Sequence, residues 1–423
     1  MLRFLTAGES HGRALVVIVE GLPAGLPVTV EDVQAELARR RLGYGRGPRM
    51  RFERDEVTLV GGVRHGRTLG SPVAIEIANA EWDRGKWNEE MSPAPGATAT
   101  PLTAPRPGHA DLAGMQKYGF TDARDVLERA SARETAARVA AGTLAKLLLG
   151  HLGVRVGSHV ISLGDVAASV AHRPGPDELL AVDESEVRCT DPGAADAMVE
   201  AIKVAAKAGD SLGGVVEVLA YGVPVGLGSH VHWDRKLDAL LARALMSIQA
   251  VKGVEIGDGF DVARRPGSEA HDPIIWDEAA GAYRRTSTNA GGIEGGISTG
   301  EVIVAHVAMK PLATLNRPVL ATVDTATKAE TVSFKERTDV TAVPAMGVVA
   351  ETMTALVLAD EATRKFGGDS LGELVRNAEA YRADVAAAAR RVGERAEGGD
   401  DLNWRADQAF DLDGGDAGDG GSR

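Results

Sequence analysis

The stretch that most constrains the fold is residues 131–152. Ser131-Ala132-Arg133-Glu134 reads there as a capping box, and Ala136, Val139, Ala140, Thr143, Leu144 and Leu147 recur at helical spacing before Gly153. A helix so rich in alanine lets neighbouring elements approach closely, which suits an inner layer. Thr29 and Asp32 begin an earlier helix that carries Val33 and Leu37 to a basic end before Gly43. Asp191-Pro192 supplies a cap and a first-turn proline for a helix running to Lys207, stopped by Gly209. Further helices are predicted over residues 233–251, 347–366 and 371–397. Strands are predicted over 56–61, 71–78, 214–221, 299–309 and 321–324. Residues 92–107 hold five prolines and read as a long loop. Helices and strands do not alternate regularly, and neither Gly-x-Gly-x-x-Gly nor a Gly-Lys-Ser/Thr phosphate loop occurs. The expected class is α+β.

The 423 residues, 44% of them hydrophobic, can bury a sizeable core. With 47 Lys+Arg against 60 Asp+Glu the formal charge is −13, so a field that gathers nucleic acid is missing. Residues 397–423 hold eight acids and two arginines, and this Gly/Asp-rich tail has few apolar residues to bury. It is expected to be disordered, leaving residues 1–396 as a single domain. One cysteine, Cys189, makes no internal disulfide. The longest run without Asp, Glu, Lys or Arg, residues 218–233, is too short and polar to span a bilayer, and the N-terminus does not read as a signal peptide. A cytoplasmic protein without membrane or nucleic-acid partners is expected. The 51 glycines and only 4% aromatics point to tight turns and close backbone approach.

Several segments pair arginine or histidine with glycine. Gly8-Glu9-Ser10-His11-Gly12 sets a hydroxyl beside an imidazole, but adjacent strand residues face opposite ways and no nucleophile elbow accompanies them. Arg39, Arg40, Arg41, Arg46 and Arg49 surround a Gly/Pro-rich turn at a helix end. Arg39 and Arg41 fit the helix dipole, whereas Arg46 and Arg49 lie beyond the helix. Such guanidiniums suit an anion bearing carboxylate and phosphate. Arg106-Pro107-Gly108-His109-Ala110-Asp111 repeats arginine, turn and histidine, and Arg129 and Arg133 flank a helix N-terminus at Ser131. Gly291–Ser298, Lys310–Thr314 and Arg337–Val340 add glycine turns and more charge. His230-Val231-His232-Trp233-Asp234 has ligand-like types without supporting cysteines, so no metal site is assigned. These residues leave open a lyase, a phosphatase acting on a related sugar-acid phosphate, and a non-catalytic polyanion binder.

Taken in order over residues 1–395, these segments resemble the chorismate synthase family, together with Lys117-Tyr118-Gly119 and Val251–Gly257. The resemblance implies a carbon–oxygen lyase of the shikimate pathway. It would convert 5-enolpyruvylshikimate 3-phosphate to chorismate by anti-1,4-elimination of phosphate, with reduced FMN and no net redox change. His11 then resembles the group that protonates the departing phosphate, and His109 the proton donor to the reduced flavin. Asp339 would relay the ring proton through the flavin, with Ser10 and Ser131 as hydroxyl partners. Arg40, Arg46, Arg49, Arg106, Arg133 and Arg337 resemble the substrate clamp, with NADPH placed at Arg40 and Arg46 as a reductant only. Arg129, Ala130, Ser131, Gln249, Ala250, Gly295, Lys310, Pro311, Leu312, Ala313, Thr314 and Arg337 resemble the FMN contacts. An external flavin reductant is expected. The implied fold is a β-α-β sandwich, long central helices between two antiparallel four-stranded sheets, assembled as a homotetramer. The family's Arg-Ser-Ser-Ala-Arg is Arg129-Ala130-Ser131-Ala132-Arg133 here, so a first hydroxyl is dispensable, and the acidic tail lies outside the pattern.

Overall fold

The computed structural model describes residues 2–47, 55–82, 87–96, 99–169, 173–334, 336 and 338–395. A first antiparallel sheet holds β1 (Arg3–Ala7), β2 (Ala14–Glu20), β3 (Val57–Gly61) and β4 (Val73–Ala78) in the order β1-β2-β4-β3. A second holds β5 (Arg155–Leu163), β6 (Gly214–Tyr221), β7 (Val251–Ile256) and β8 (Ile303–Met309) in the order β7-β8-β6-β5, with a two-residue strand, Val166–Ala167, beyond β5. The second sheet therefore has five strands rather than the expected four. The extra strand is the return of a tight turn in which Ser162 and Leu163 pair with Ala167 and Val166.

The helices used below are α1 (Val30–Arg41), α2 (Asp111–Tyr118), α3 (Arg124–Ala130), α4 (Thr135–Gly150), α5 (Pro192–Ala208), α6 (Leu237–Met246), α7 (Val343–Phe366) and α8 (Leu371–Arg395). Alternating Leu15, Val17, Val19 and Val73, Ile75, Ile77 turn one face of the first sheet inward, where α4 rests on β2. Helix α7 rests on β5 and β6 of the second sheet and packs along α4. Both helices are apolar on nearly every side, as helices covered all round must be. Gly142 of α4 makes their approach possible, since a Cβ there would lie 2.2 Å from Thr352 Cβ. Helix α7 is long and apolar enough to cross a membrane, but 89% of its apolar window is buried in the protein.

The central layer also holds a fully buried charge. Glu351 of α7 accepts from Arg39 at 2.7 and 3.1 Å, Lys146 at 3.1 Å, Arg188 at 2.9 Å and Ser158 at 2.8 Å. Burial alone would raise its carboxyl, yet these cations hold it well below the ordinary glutamate range. Arg39, in the last turn of α1 as read from sequence, is half-buried and reaches inward to this fully buried carboxylate.

Three predicted elements change. The helix expected from residue 131 begins as a 3-10 turn, Ala132–Glu134, and becomes α-helix at Thr135. Ser131 caps Arg133 N, while the Glu134 carboxylate turns to Thr6, Arg138 and Gln249 instead of closing the box. The helix expected over 233–251 shrinks to α6, because Ala250 takes a left-handed φ of 65° and redirects the chain into β7. The helix expected from 347 begins earlier, at Val343, with Pro344 in its first turn. The acidic tail from residue 397 lies outside the described residues.

Candidate active site

The first cluster forms where the link between β1 and β2 meets α3. Gly8, at φ 98°, sits so close to β2 that a Cβ would be 2.2 Å from the Ala14 carbonyl oxygen, and this turn presents Ser10 and His11 to α3. Ser10 N donates to the Glu128 carbonyl at 3.0 Å, and His11 N donates to Glu128 Oε2 at 2.8 Å. The His11 ring is buried, with Nδ1 2.9 Å from Glu128 Oε1 and Trp87 stacked at 3.8 Å between centroids. Burial alone would raise the Glu128 carboxyl, but His11 and Arg124 hold it below the usual glutamate value. Ser131 Oγ donates to Ser10 Oγ at 3.2 Å, so both predicted hydroxyls meet here.

The second cluster closes the proline-rich loop. Gly108, at φ 77°, turns the chain so that Arg106, His109 and Asp111 converge. Arg106 Nε donates to Asp111 Oδ2 at 2.8 Å, Nη2 to Asp111 Oδ1 at 3.0 Å and Nη1 to Thr314 Oγ1 at 2.9 Å. His109 Nδ1 makes a short contact with Asp111 Oδ1. Asp111 is fully buried, which would raise its carboxyl, but His109 and Arg106 push it well below the usual range. Both predicted histidines thus carry a depressed carboxylate on Nδ1 and an arginine behind it.

Between these clusters runs a continuous chain of contacts. Arg129 donates to the Thr6 and Gly8 carbonyls at 2.8 and 2.9 Å and lies 4.0 Å from Glu134. Glu134 accepts from Gln249 Nε2 at 2.9 Å, while Gln249 Oε1 is buried and accepts no hydrogen bond. Lys310 N donates to the Ala250 carbonyl at 3.0 Å, and Lys310 Nζ to the Gly108 carbonyl at 2.9 Å. Partial burial and the nearby Lys252 push the Lys310 ammonium down. The Leu312 carbonyl accepts from Ser211 Oγ at 2.9 Å, and Pro311 and Ala313 lie along this same turn.

The arginines expected to clamp substrate have internal anchors. Arg133 binds Asp55 Oδ1 at 2.5 Å and Asn79 Oδ1 at 3.0 Å. Arg40 donates to Thr135 Oγ1 at 2.9 Å and the Ala132 carbonyl at 3.0 Å. Arg46 Nε pairs with Asp339 Oδ2 at 3.0 Å, and Gly47 N donates to Asp339 Oδ1 at 2.6 Å. Phe334, Glu336 and Asp339 link these groups: Phe334 lies under the Arg106 guanidinium, Glu336 receives Arg124 at 3.2 Å, and Asp339 receives Arg46. Arg49 and Arg337 lie outside the described residues. Gly295 occupies a glycine turn, Gly295-Gly296, beside His230 and Lys236. His232 pairs with Asp234 at 2.7 Å on the surface, and among the described residues no group of three or more His, Cys, Asp or Glu side chains is placed to hold a metal.

Sequence reading missed the working contacts of Glu128, Arg124, Trp87 and Glu134. Asp111 shared a motif with its partners, whereas Glu128 stands 117 positions from His11 and left no local signal.

A family model described as chorismate synthase matches residues 2–363. A relative from Micrococcus luteus named chorismate synthase is 60% identical over 396 residues, covering 92% of this chain and 95% of its own. One from Salinispora tropica with the same name is 60% identical over 390 residues, covering 90% and 98%. A solved structure titled as the crystal structure of chorismate synthase superposes with a TM-score of 0.74 at 41% identity, covering 91% of this chain and 98% of the other. With the family model covering most of its length, the chain belongs to the chorismate synthase family.

Proposed function

We propose that this chain is a chorismate synthase that takes 5-enolpyruvylshikimate 3-phosphate to chorismate. In this reaction a ring C–H bond and the allylic C–O bond to phosphate break and a ring double bond forms. The proton and the phosphate leave, and no electrons are lost overall. The observation that carries the reading is the pair of histidines, each backed by a buried carboxylate and an arginine, joined by one line of polar contacts.

The residues present fit a flavin mononucleotide. Gln249 Oε1 is a buried acceptor lacking a donor, which an N–H of the flavin ring would supply, and Arg129 and Lys310 bring cations on either side of it in the contact chain, matching a phosphate. Ser131, Ala130, Ala250, Pro311, Leu312, Ala313 and Thr314 would complete that face, with Gly295 and Arg337 assigned by the family resemblance alone. When bound, the reduced flavin supplies transient electron density to the allylic system and is returned reduced.

The chain's own residues bind the anion and move protons. His11 delivers a proton to the departing phosphate from Nε2, because Nδ1 faces Glu128. His109, with Nδ1 on Asp111, holds a proton for the flavin side of the site. Arg46 and Arg106 grip carboxylate or phosphate, each oriented by a carboxylate on one edge, with Arg40 and Arg133 joining the clamp and Arg49 and Arg337 assigned to it by the family resemblance alone. Asp339 receives the ring proton, and Ser10 and Ser131 order the leaving group. This proposal includes residues 1–396 as one catalytic domain, a β-α-β sandwich with α4 and α7 in its middle layer. It also includes a homotetramer in the cytoplasm and an external reductant for FMN.

Anaerobic incubation with reduced FMN and the substrate tests the reading. It predicts one phosphate released per chorismate over many turnovers, and none with oxidised FMN alone. Phosphate release without flavin would instead make the protein a phosphatase.

A further inference from the structure

Glu128 grips the Ser10-His11 turn at three points. Its carbonyl accepts from Ser10 N, one carboxylate oxygen from His11 N and the other faces His11 Nδ1, with distances of 3.0, 2.8 and 2.9 Å. The side chain is 2% exposed, so it has no solvent to turn to. Arg124 Nη1 donates to the same Oε1 at 3.0 Å, and its guanidinium lies 5.0 Å from the Trp87 ring centre. Trp87 in turn stacks on His11 with only 17° between the planes, which opposes rotation of the imidazole. An ionised carboxylate only accepts, so the ring atom facing it must be an N–H.

We infer that Glu128, steadied by Arg124, is a positioning residue that fixes the His11 proton on Nδ1 and so makes Nε2 the nitrogen that exchanges a proton with the departing phosphate. The inference rests on the role proposed for His11 above. Among the described residues the charged groups around the ring include Glu81, whose Oε2 is 4.0 Å from Nε2, Glu128 and Arg124, with Glu90 and Glu336 pairing to Arg124 at 3.8 and 3.2 Å. Among the described residues Glu128 is the charged group that touches Nδ1, so its charge bears directly on the ring. In Glu128→Gln one acceptor becomes an N–H donor. It would oppose the His11 backbone N–H if turned one way, and both His11 Nδ1–H and Arg124 if turned the other. The favoured escape is transfer of the neutral ring's proton to Nε2.

Nitrogen-15 NMR of histidine-labelled protein, with His11 assigned by a His11→Gln difference spectrum, reads the tautomer directly. The wild type should hold its proton on Nδ1 at neutral pH, and Glu128→Gln should move the neutral ring's proton to Nε2. Glu128→Gln should lower turnover by about 10- to 100-fold, the scale seen when an orienting partner is removed, with the Michaelis constant little changed. A wild-type proton on Nε2 would overturn the inference even if the variant fails to fold. A folded variant with unchanged turnover and its His11 proton still on Nδ1 would also overturn it. Failure of the wild type to form chorismate would overturn the proposed function instead, a result distinct from a normal wild type with an indifferent variant.

Discussion

At the residue scale, the site depends on two imidazoles whose surroundings are alike although their sequence contexts differ. Removing either ring takes away a positioned proton donor, so His11→Ala and His109→Ala should each lower turnover about 10²- to 10⁴-fold. Flavin binding should survive in both, because the acceptor on Gln249 and the cations Arg129 and Lys310 are untouched. Stopped-flow turnover with pre-reduced FMN, beside a flavin titration, checks this, and near-normal rates would remove the histidines from the mechanism. The resemblance singles out Ser10, His11, Arg106, His109, Ser131 and Asp339, which lie in compact glycine-flanked or charged motifs. The carboxylate of Glu128 could not be given its role, because its contact with His11 exists only after α3 docks on the first sheet's turn. Nor could sequence show that Arg133 is spent on Asp55 or Arg39 on Glu351, since pairing across the fold follows no local spacing.

At the scale of elements, the helices with chemical punctuation were the legible ones. Thr29 with Asp32 caps α1 and Asp191-Pro192 starts α5 as their side chains dictate. The N-terminal hairpin, α2, α3, β5 and β7 were not assigned, being short, amphipathic only in context, or ended by backbone turns such as that at Ala250. The alanine-rich α4 meets α7 through Gly142, so Gly142→Ala should force the pair apart and cost about 1 to 3 kcal/mol, the usual penalty of overpacking. Denaturant midpoints measure it, and an unchanged midpoint would mean that the two helices separate freely. Helix α7 also carries Glu351, whose carboxyl is held well below its ordinary value in the folded state. Its stabilisation is therefore fully present above the unfolded value of about 4.3 and is lost as pH falls through the folded one. Glu351→Gln should flatten this acid arm of the stability profile. It should also destabilise the protein by about 3 to 5 kcal/mol at neutral pH, because Arg39, Lys146 and Arg188 lose their shared counter-charge. Thermal melts across the acid range follow both effects, and coincident curves for wild type and variant would contradict them.

At the scale of the whole molecule, two sheets and a middle layer of helices bring together segments that are far apart in the chain. The turn after β1, the loop before α2, the end of α3, the turn after α6, the turn after β8 and the residues Phe334 and Glu336 contribute to one line of contacts. That line offers anion grips, two imidazoles and a carboxylate, and it includes no built metal centre among the described residues. The reduced FMN of the chorismate synthase family is the electron reservoir, and it comes back unchanged. The most direct measurement counts flavin against product. Reduced FMN, substrate and protein are held without oxygen, and flavin absorbance is followed while chorismate accumulates in large excess over flavin. The account predicts that the flavin is still reduced when substrate is exhausted, with chorismate and phosphate equal. Flavin oxidised in step with chorismate would contradict it and make the chain an oxidoreductase.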